Sequence, residues 1–128
     1  MERLLLVALG GAIGSMARYL TGVGAMRLIG PRTLWAGTFT VNIVGGLLMG
    51  LLVGVLAFRG GADQDRWRLF AAVGVLGGFT TFSSFSLDAA LLIQRREWMT
   101  AGAYVAASVA FSIGALFAGL AVARRLLA

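Results

Sequence analysis

The chain has 128 residues, of which 59% are hydrophobic and 12% charged, with a mean hydropathy of +0.91 and a formal net charge of +6. A soluble globular chain carries about 25% charged residues. Too few polar groups are present here to coat a water-soluble fold, so the composition specifies a membrane protein. A membrane-spanning helix takes about 20 residues, so four spans use most of the chain and leave no soluble domain. There is no Cys and no His, and all eleven basic residues are Arg. That excludes disulfides, thiolate and imidazole metal sites, imidazole acid–base chemistry and Schiff bases. No nucleophile–base pair is available to make an enzyme, and no basic face with interleaved aromatics to bind nucleic acid.

In chain order, the first apolar run covers residues 4–29 and is interrupted by Arg18 and Arg27. Glu2-Arg3 before it and Val23-Gly24-Ala25 within it resemble a signal peptide. The run is too long for a typical apolar signal core and carries Arg18 inside, so it reads as a retained span. Gly30-Pro31 is a helix stop and restart. The second run, 34–58, is 25 residues without a charge. The third, 69–93, is broken only by Asp88, and the fourth, 98–123, is uncharged. At about 1.5 Å rise per residue, such runs reach roughly 37 Å, enough to cross a ~30 Å hydrocarbon core with some tilt. The expected fold is all-α: one domain of four transmembrane helices joined by short connections.

With four spans, both termini lie on one side, together with Arg3, Arg59, Arg66, Arg68, Arg124 and Arg125. The other side holds Arg27, Arg32, Arg95 and Arg96, with Arg18 deeper in the first span. Six against four orients a chain poorly under the positive-inside rule. The balance fits a simple weak bias, or a chain that inserts both ways up and pairs head to tail. The 19 glycines fall at helical spacing: Gly10 and Gly14, then Gly46, Gly50 and Gly54, then Gly74 and Gly78. Ala110, Gly114 and Ala118 repeat the pattern in the fourth run. Small residues at this spacing let helix backbones approach closely in lipid.

The polar residues inside the apolar runs carry the functional signal. Thr38 and Asn42 are four apart on one face of the second span. Tyr104, Ser108 and Ser112 repeat along the fourth, a hydroxyl stripe about 12 Å long. The third contains Gly77-Gly78-Phe79-Thr80-Thr81-Phe82-Ser83-Ser84-Phe85-Ser86, a poor uninterrupted helix. A break at membrane depth is tolerated only where protein or a cavity satisfies it, and its freed carbonyls commonly form ion sites. Each feature also has an ordinary reading. Ser and Thr bond their own i−4 carbonyls, Asn42 can glue helices together, and the Phe79, Phe82, Phe85 stripe can simply pack. Arg18 can snorkel to the interface or line a vestibule. Nearly all these groups donate hydrogen bonds, however, and Asp88 is the one acid among them. Donors without a carboxylate relay suit an anion, and aromatic ring edges are electropositive.

Three segments carry a resemblance: Gly10-Gly-Ala-Ile-Gly-Ser-Met-Ala-Arg18-Tyr19, Gly37-Thr-Phe-Thr-Val-Asn42-Ile-Val-Gly45, and Gly74-Val-Leu-Gly-Gly-Phe-Thr-Thr-Phe82-Ser-Ser-Phe85-Ser. Through them the chain resembles the small fluoride channels known as Fluc or CrcB proteins. The resemblance implies an antiparallel, dual-topology homodimer in a prokaryotic plasma membrane, with two pores through which cytoplasmic fluoride leaves passively, conferring fluoride resistance. It implies that Phe82 and Phe85 form a phenylalanine box, that Asn42 is a pore donor, and that Thr38, Tyr104, Ser108 and Ser112 form a polar track. It implies a third helix broken at mid-membrane, with a structural Na⁺ held there by the Gly77 and Thr80 carbonyls. Two positions depart from the family pattern: Ser84 stands where Thr is usual, and Asp88 where Glu is usual. The competing reading is a small four-helix drug/proton antiporter, whose mechanism needs a membrane-embedded carboxylate.

Overall fold

A computed structural model describes all of residues 1–128 as helices and short connections. Helix α1 spans Glu2–Ile29 and α2 spans Leu34–Phe58. Helix α3 spans Gln64–Gln94 in several segments and α4 spans Trp98–Leu127. All four are long and apolar enough to cross a membrane. Only 17 of the 128 residues are buried, and large apolar side chains such as Leu4, Leu20, Phe111 and Phe117 are exposed on every span. In water such a surface would aggregate. In lipid it is the solvated face.

The connections are tight. Gly30 ends α1 at φ +101°, a conformation that suits a residue without Cβ, and its N–H donates to the Met26 carbonyl at 3.0 Å. Pro31 then starts a single 3₁₀ turn, Pro31–Thr33, at a position where the N–H that proline lacks would have had no helical partner. At the same end of the molecule, the turn between α3 and α4 puts Arg96 at φ 59° and closes with the Glu97 N–H donating to the Leu92 carbonyl. The opposite end carries the chain's ion pairs: Arg3–Asp65 at 2.9 Å, Arg66–Asp63 at 3.9 Å, and Arg66–Glu2. Each partner is more than half exposed, so these pairs tie the first turn of α3 and the connection before it to the start of α1 at little net energy.

Backbone proximity sets the packing. Gly10 and Gly14 of α1 lie directly on α3 at Phe70, Gly74, Val75 and Phe79, while Gly74 and Gly78 lie on α1 at Val7, Gly10, Gly11 and Ser15. Helix α2 packs along α4: Gly46 meets Ser112, Gly50 meets Leu116 and Leu120, Gly54 meets Ala123, and Gly119 meets Leu47 and Leu51. The face that α4 uses is therefore Ser112, Leu116, Gly119 and Ala123. The small-residue stripe Ala110, Gly114, Ala118, expected to pack, is exposed, and nothing in the protomer stands within 4 Å of where a Gly114 Cβ would be. The α2 glycines decide this, because their close approach turns α4 to present its other flank.

Helix α3 is not uniform. After a first α-helical turn, Gln64–Trp67, the segment Arg68–Leu76 is wound as a π-helix, and Gly77–Phe79 returns to α geometry. Thr80 (φ −79°, ψ 157°) and Thr81 (φ −154°, ψ 124°) are extended, and Phe82–Gln94 is α-helical again. The sequence places the unwinding over Gly77–Thr80. In the structure Gly77–Phe79 stays helical and the extended residues are the two threonines. The reason is α1: Gly11 and Ser15 press on Gly78, and Gly14 on Phe79, and hold this turn in place.

A methyl added at Gly14 would strike the Val75 carbonyl and come within 2.8 Å of the Phe79 N. Gly14→Ala should therefore cost about 1–3 kcal/mol or more, read as a lower melting temperature and loss of the monodisperse gel-filtration peak in detergent. Gly60→Ala, with open space around its Cβ position, should leave both unchanged.

Candidate functional site

The site begins with two backbone groups. Once Thr81 leaves the helical region, its N–H no longer reaches the Gly77 carbonyl and its own carbonyl leaves the ladder. An unpaired peptide group in an apolar interior costs several kcal/mol. Asn42 of α2 satisfies both: its Oδ1 accepts from the Thr81 N–H at 2.8 Å and its Nδ2 donates to the Thr81 carbonyl at 2.9 Å. A primary amide has one acceptor and two donors, so a second Nδ2 hydrogen remains for another partner. Thr81 is itself buried, and its hydroxyl accepts from the Ser84 N–H at 3.1 Å, capping the segment that starts at Phe82. The Thr80 N–H and hydroxyl both donate to the Leu76 carbonyl, and the Thr80 carbonyl accepts from Arg18 Nη1 at 3.4 Å.

Beside the break lies a groove of about 440 Å³ between α2, α3 and α4. It is lined by Asn42, Gly45, Gly46, Met49, Thr80, Thr81, Phe82, Phe85, Ser108, Val109, Ser112, Ile113 and Leu116. No lining residue is charged. Ser108 is 5% exposed and its hydroxyl has no hydrogen-bond partner in the protein. Phe82 and Phe85 stack in tilted fashion with centroids 5.4 Å apart, and Phe82 is 77% exposed.

The structure thus brings Asn42, Phe82, Phe85, Ser108, Ser112 and Thr80 to one groove and divides the expected track. Tyr104 is buried against Leu92 and Ala101, and its hydroxyl turns away to donate to Asp88 Oδ2 at 3.2 Å. Its ring remains linked to the groove through Phe85, 5.4 Å away. Thr38 stands beside the same hydroxyl. Arg18 and Gly77 do not line the groove: Arg18 lies half-buried behind the break, and Gly77 is exposed one turn before it. Phe79 contacts Gly45 and α1 and is likewise outside.

Two residues have roles here that sequence reasoning missed. Thr81 is the residue clamped by Asn42 and the cap of the second half of α3. A Thr three residues before a serine, next to a glycine-rich run, is a capping signal that could have exposed it. Asp88 is the acceptor for Tyr104, 16 residues away. Nothing in the local pattern marks that pairing. The shortened acid still makes the bond.

Four apolar spans, with hydrogen-bond donors grouped at an interruption of one of them, define a multi-pass membrane protein. The chain belongs to the CrcB family: the family model described as "CrcB-like protein, Camphor Resistance (CrcB)" matches residues 5–120. A "Fluoride-specific ion channel FluC" of Caulobacter vibrioides is 62% identical over 128 residues, covering all of both chains. Proteins of the same description from Phenylobacterium zucineum and Agrobacterium fabrum are 59% identical over 128 residues and 56% identical over 126 residues; the first alignment covers all of both chains, the second 98% of this chain and 99% of the relative.

Removing the Asn42 amide strands both Thr81 groups, each at about 1–3 kcal/mol. Asn42→Ala should lower the melting temperature in detergent well beyond Thr81→Val, which loses only a cap worth ~1 kcal/mol. Equal effects would show that the amide does not hold the break.

Proposed function

We propose that this protein is a fluoride-selective channel through which cytoplasmic fluoride leaves a prokaryotic cell passively across the plasma membrane. It works as an antiparallel, dual-topology homodimer with two pores and is not an enzyme. The observation that carries this reading is the Ser108 hydroxyl: buried, without a protein partner, and set in a groove with no acid. A donor left unpaired at a cost of about 1–3 kcal/mol calls for an acceptor from outside the chain. The relatives' description as fluoride-specific channels supplies the acceptor's identity.

Fluoride is small and strongly hydrated, so a path for it must replace water hydrogen bonds one after another. Ser108 and Ser112 offer hydroxyls one turn apart, and the second Nδ2 hydrogen of Asn42 offers another donor. Phe82 and Phe85 continue the wall where hydroxyls end. An aromatic edge contact is worth only ~1 kcal/mol, so the rings shape and dry the path while the donors hold the ion. Thr38 and the Tyr104 ring extend the wall of the path past Phe85, with the Tyr104 hydroxyl proton committed to Asp88. Hydrogen fluoride crosses membranes neutral and dissociates inside, so a passive pore relieves the trapped ion and confers resistance. An antiporter is disfavoured, because no carboxylate lines the groove.

The dimer rests on what the protomer leaves open. Phe82, half of the aromatic pair, is 77% exposed, and the Ala110–Gly114–Ala118 stripe has no partner. A second copy closes both, and the near-balanced arginines fit an antiparallel one. In this reading the break lies at mid-membrane, and the Gly77 and Thr80 carbonyls are the groups that would hold the structural Na⁺. They fit a cation: the Gly77 carbonyl has lost its helical donor because the Thr81 N–H turns to Asn42, and the Thr80 carbonyl already faces the Arg18 guanidinium. A bound Na⁺ would neutralise these carbonyl dipoles and tie the two subunits together. Arg18 belongs to the vestibule side of this arrangement.

Two experiments test the proposal. In proteoliposomes the protein should release fluoride, Phe82→Ile should suppress the flux, and Phe79→Ile should not. Ser108→Ala should slow flux without lowering the melting temperature, because that hydroxyl bonds nothing in the protein. A silent wild type, or a Ser108→Ala channel as fast as wild type, contradicts the reading. For the assembly, a Cys introduced at Ala128 should label from both faces of the membrane, and replacing Na⁺ by a large organic cation should weaken the dimer. Labelling from one face only would rule out dual topology.

A further inference from the structure

At the end of the bundle opposite the ion pairs, a second pocket lies between the start of α2 and the end of α3. Its volume is about 20 Å³, where a single water needs about 10–15 Å³. Arg32, Asp88 and Arg95 line it against walls that include Trp35 and Leu92. Neither arginine is ion-paired: every ion pair of the chain is at the other end, among Glu2, Arg3, Asp63, Asp65 and Arg66. Two exposed arginines therefore line the pocket together with one carboxylate, and that carboxylate already accepts from the Tyr104 hydroxyl. The pocket carries a net positive charge beside apolar walls, where charge acts over a lower local dielectric than in water.

The pocket and the groove share no lining residue, and a chain of side-chain contacts through the buried Tyr104 links them. Asp88 is bonded to Tyr104 at 3.2 Å, Tyr104 stacks on Phe85 at 5.4 Å, and Phe85 lines the groove. Trp35, in the pocket wall, also meets the Tyr104 ring, tilted at 60° with centroids 5.6 Å apart. We propose that the Arg32–Asp88–Arg95 pocket is a single-anion entry site, in which Arg32 and Arg95 draw one fluoride from solution and pass it to the Tyr104–Phe85 end of the path. This rests on the fluoride-channel reading. The volume favours a small ligand, since the space is close to that of one water-sized ion. Asp88 has a defined part in it. By holding the tyrosine hydroxyl and offsetting one guanidinium charge, it keeps the site from binding an anion too tightly to release it.

The test measures initial fluoride efflux from proteoliposomes at ionic strengths of about 0.01 M and about 1 M, set with an impermeant salt. The screening length falls from ~30 Å to ~3 Å across that range. R32Q/R95Q should slow efflux roughly tenfold at low salt, with the gap nearly closed at high salt, as charge-focused entry requires. R32Q and R95Q alone should each give an intermediate loss, and they decide the matter if the double variant fails to elute as a single species. R27Q removes an exposed arginine at the same end but outside the pocket, and it should match wild type at both salts. A wild type that conducts fluoride while R32Q/R95Q keeps pace with it at low salt overturns the entry site and leaves the channel standing. R27Q slowing efflux as much as R95Q overturns it as well, since general surface charge would then suffice. A wild type that conducts no fluoride overturns both.

Discussion

A membrane helix cannot stop hydrogen-bonding for two residues unless something replaces the missing partners, and in this protein the replacement is one side-chain amide. Asn42 takes the N–H and supplies the carbonyl partner of Thr81 with a matched pair of bonds, 2.8 and 2.9 Å long. Carboxylates offer no donor and hydroxyls cannot span both groups, and Gln, the other side chain with the same amide complement, is one methylene longer. The second half of α3 starts from this clamp. Its direction is set by the Thr81 cap, and with it the placement of Phe82 and Phe85 along the groove. The freed Gly77 carbonyl follows from the same two bonds, because the donor it would have used is committed to α2.

Much of the architecture was legible in the sequence because lipid simplifies the rules. Uncharged runs of about 25 residues have one stable conformation in a bilayer, so four of them gave four helices. Glycines four apart on α1, α2 and α3 marked real close approaches. What periodicity cannot supply is which face of a helix meets which neighbour. Helix α4 has two small-residue flanks, and only the α2 glycines select between them. The same limit applied to Tyr104. Helical spacing grouped it with Ser108 and Ser112, yet its long side chain reaches past the stripe to an acid on another helix.

The exact position of the break was not legible either, for an instructive reason. Composition favours unwinding at the glycine pair, since glycine gains most from leaving a helix. Here Gly78 is needed as a contact surface: its missing side chain admits the α1 backbone at Gly11 and Ser15. Packing outweighs propensity, and the chain unwinds at the first residues beyond that contact. Extended geometry costs little there, because β-branched threonine accepts it readily.

The glycine-on-backbone contacts carry a further consequence. When two leucine faces meet, each side chain surrenders rotameric freedom worth about 0.5–1 kcal/mol, and each can also shift to absorb a neighbour's change. Gly10, Gly14, Gly74 and Gly78 have no rotamers to surrender and none to adjust. The α1–α3 seam therefore forms at almost no side-chain entropic cost, and it behaves as a rigid joint. Strain introduced on one side of it passes undiminished into the peptide units on the other, and the nearest of these are the ones that lead into Thr80 and Thr81.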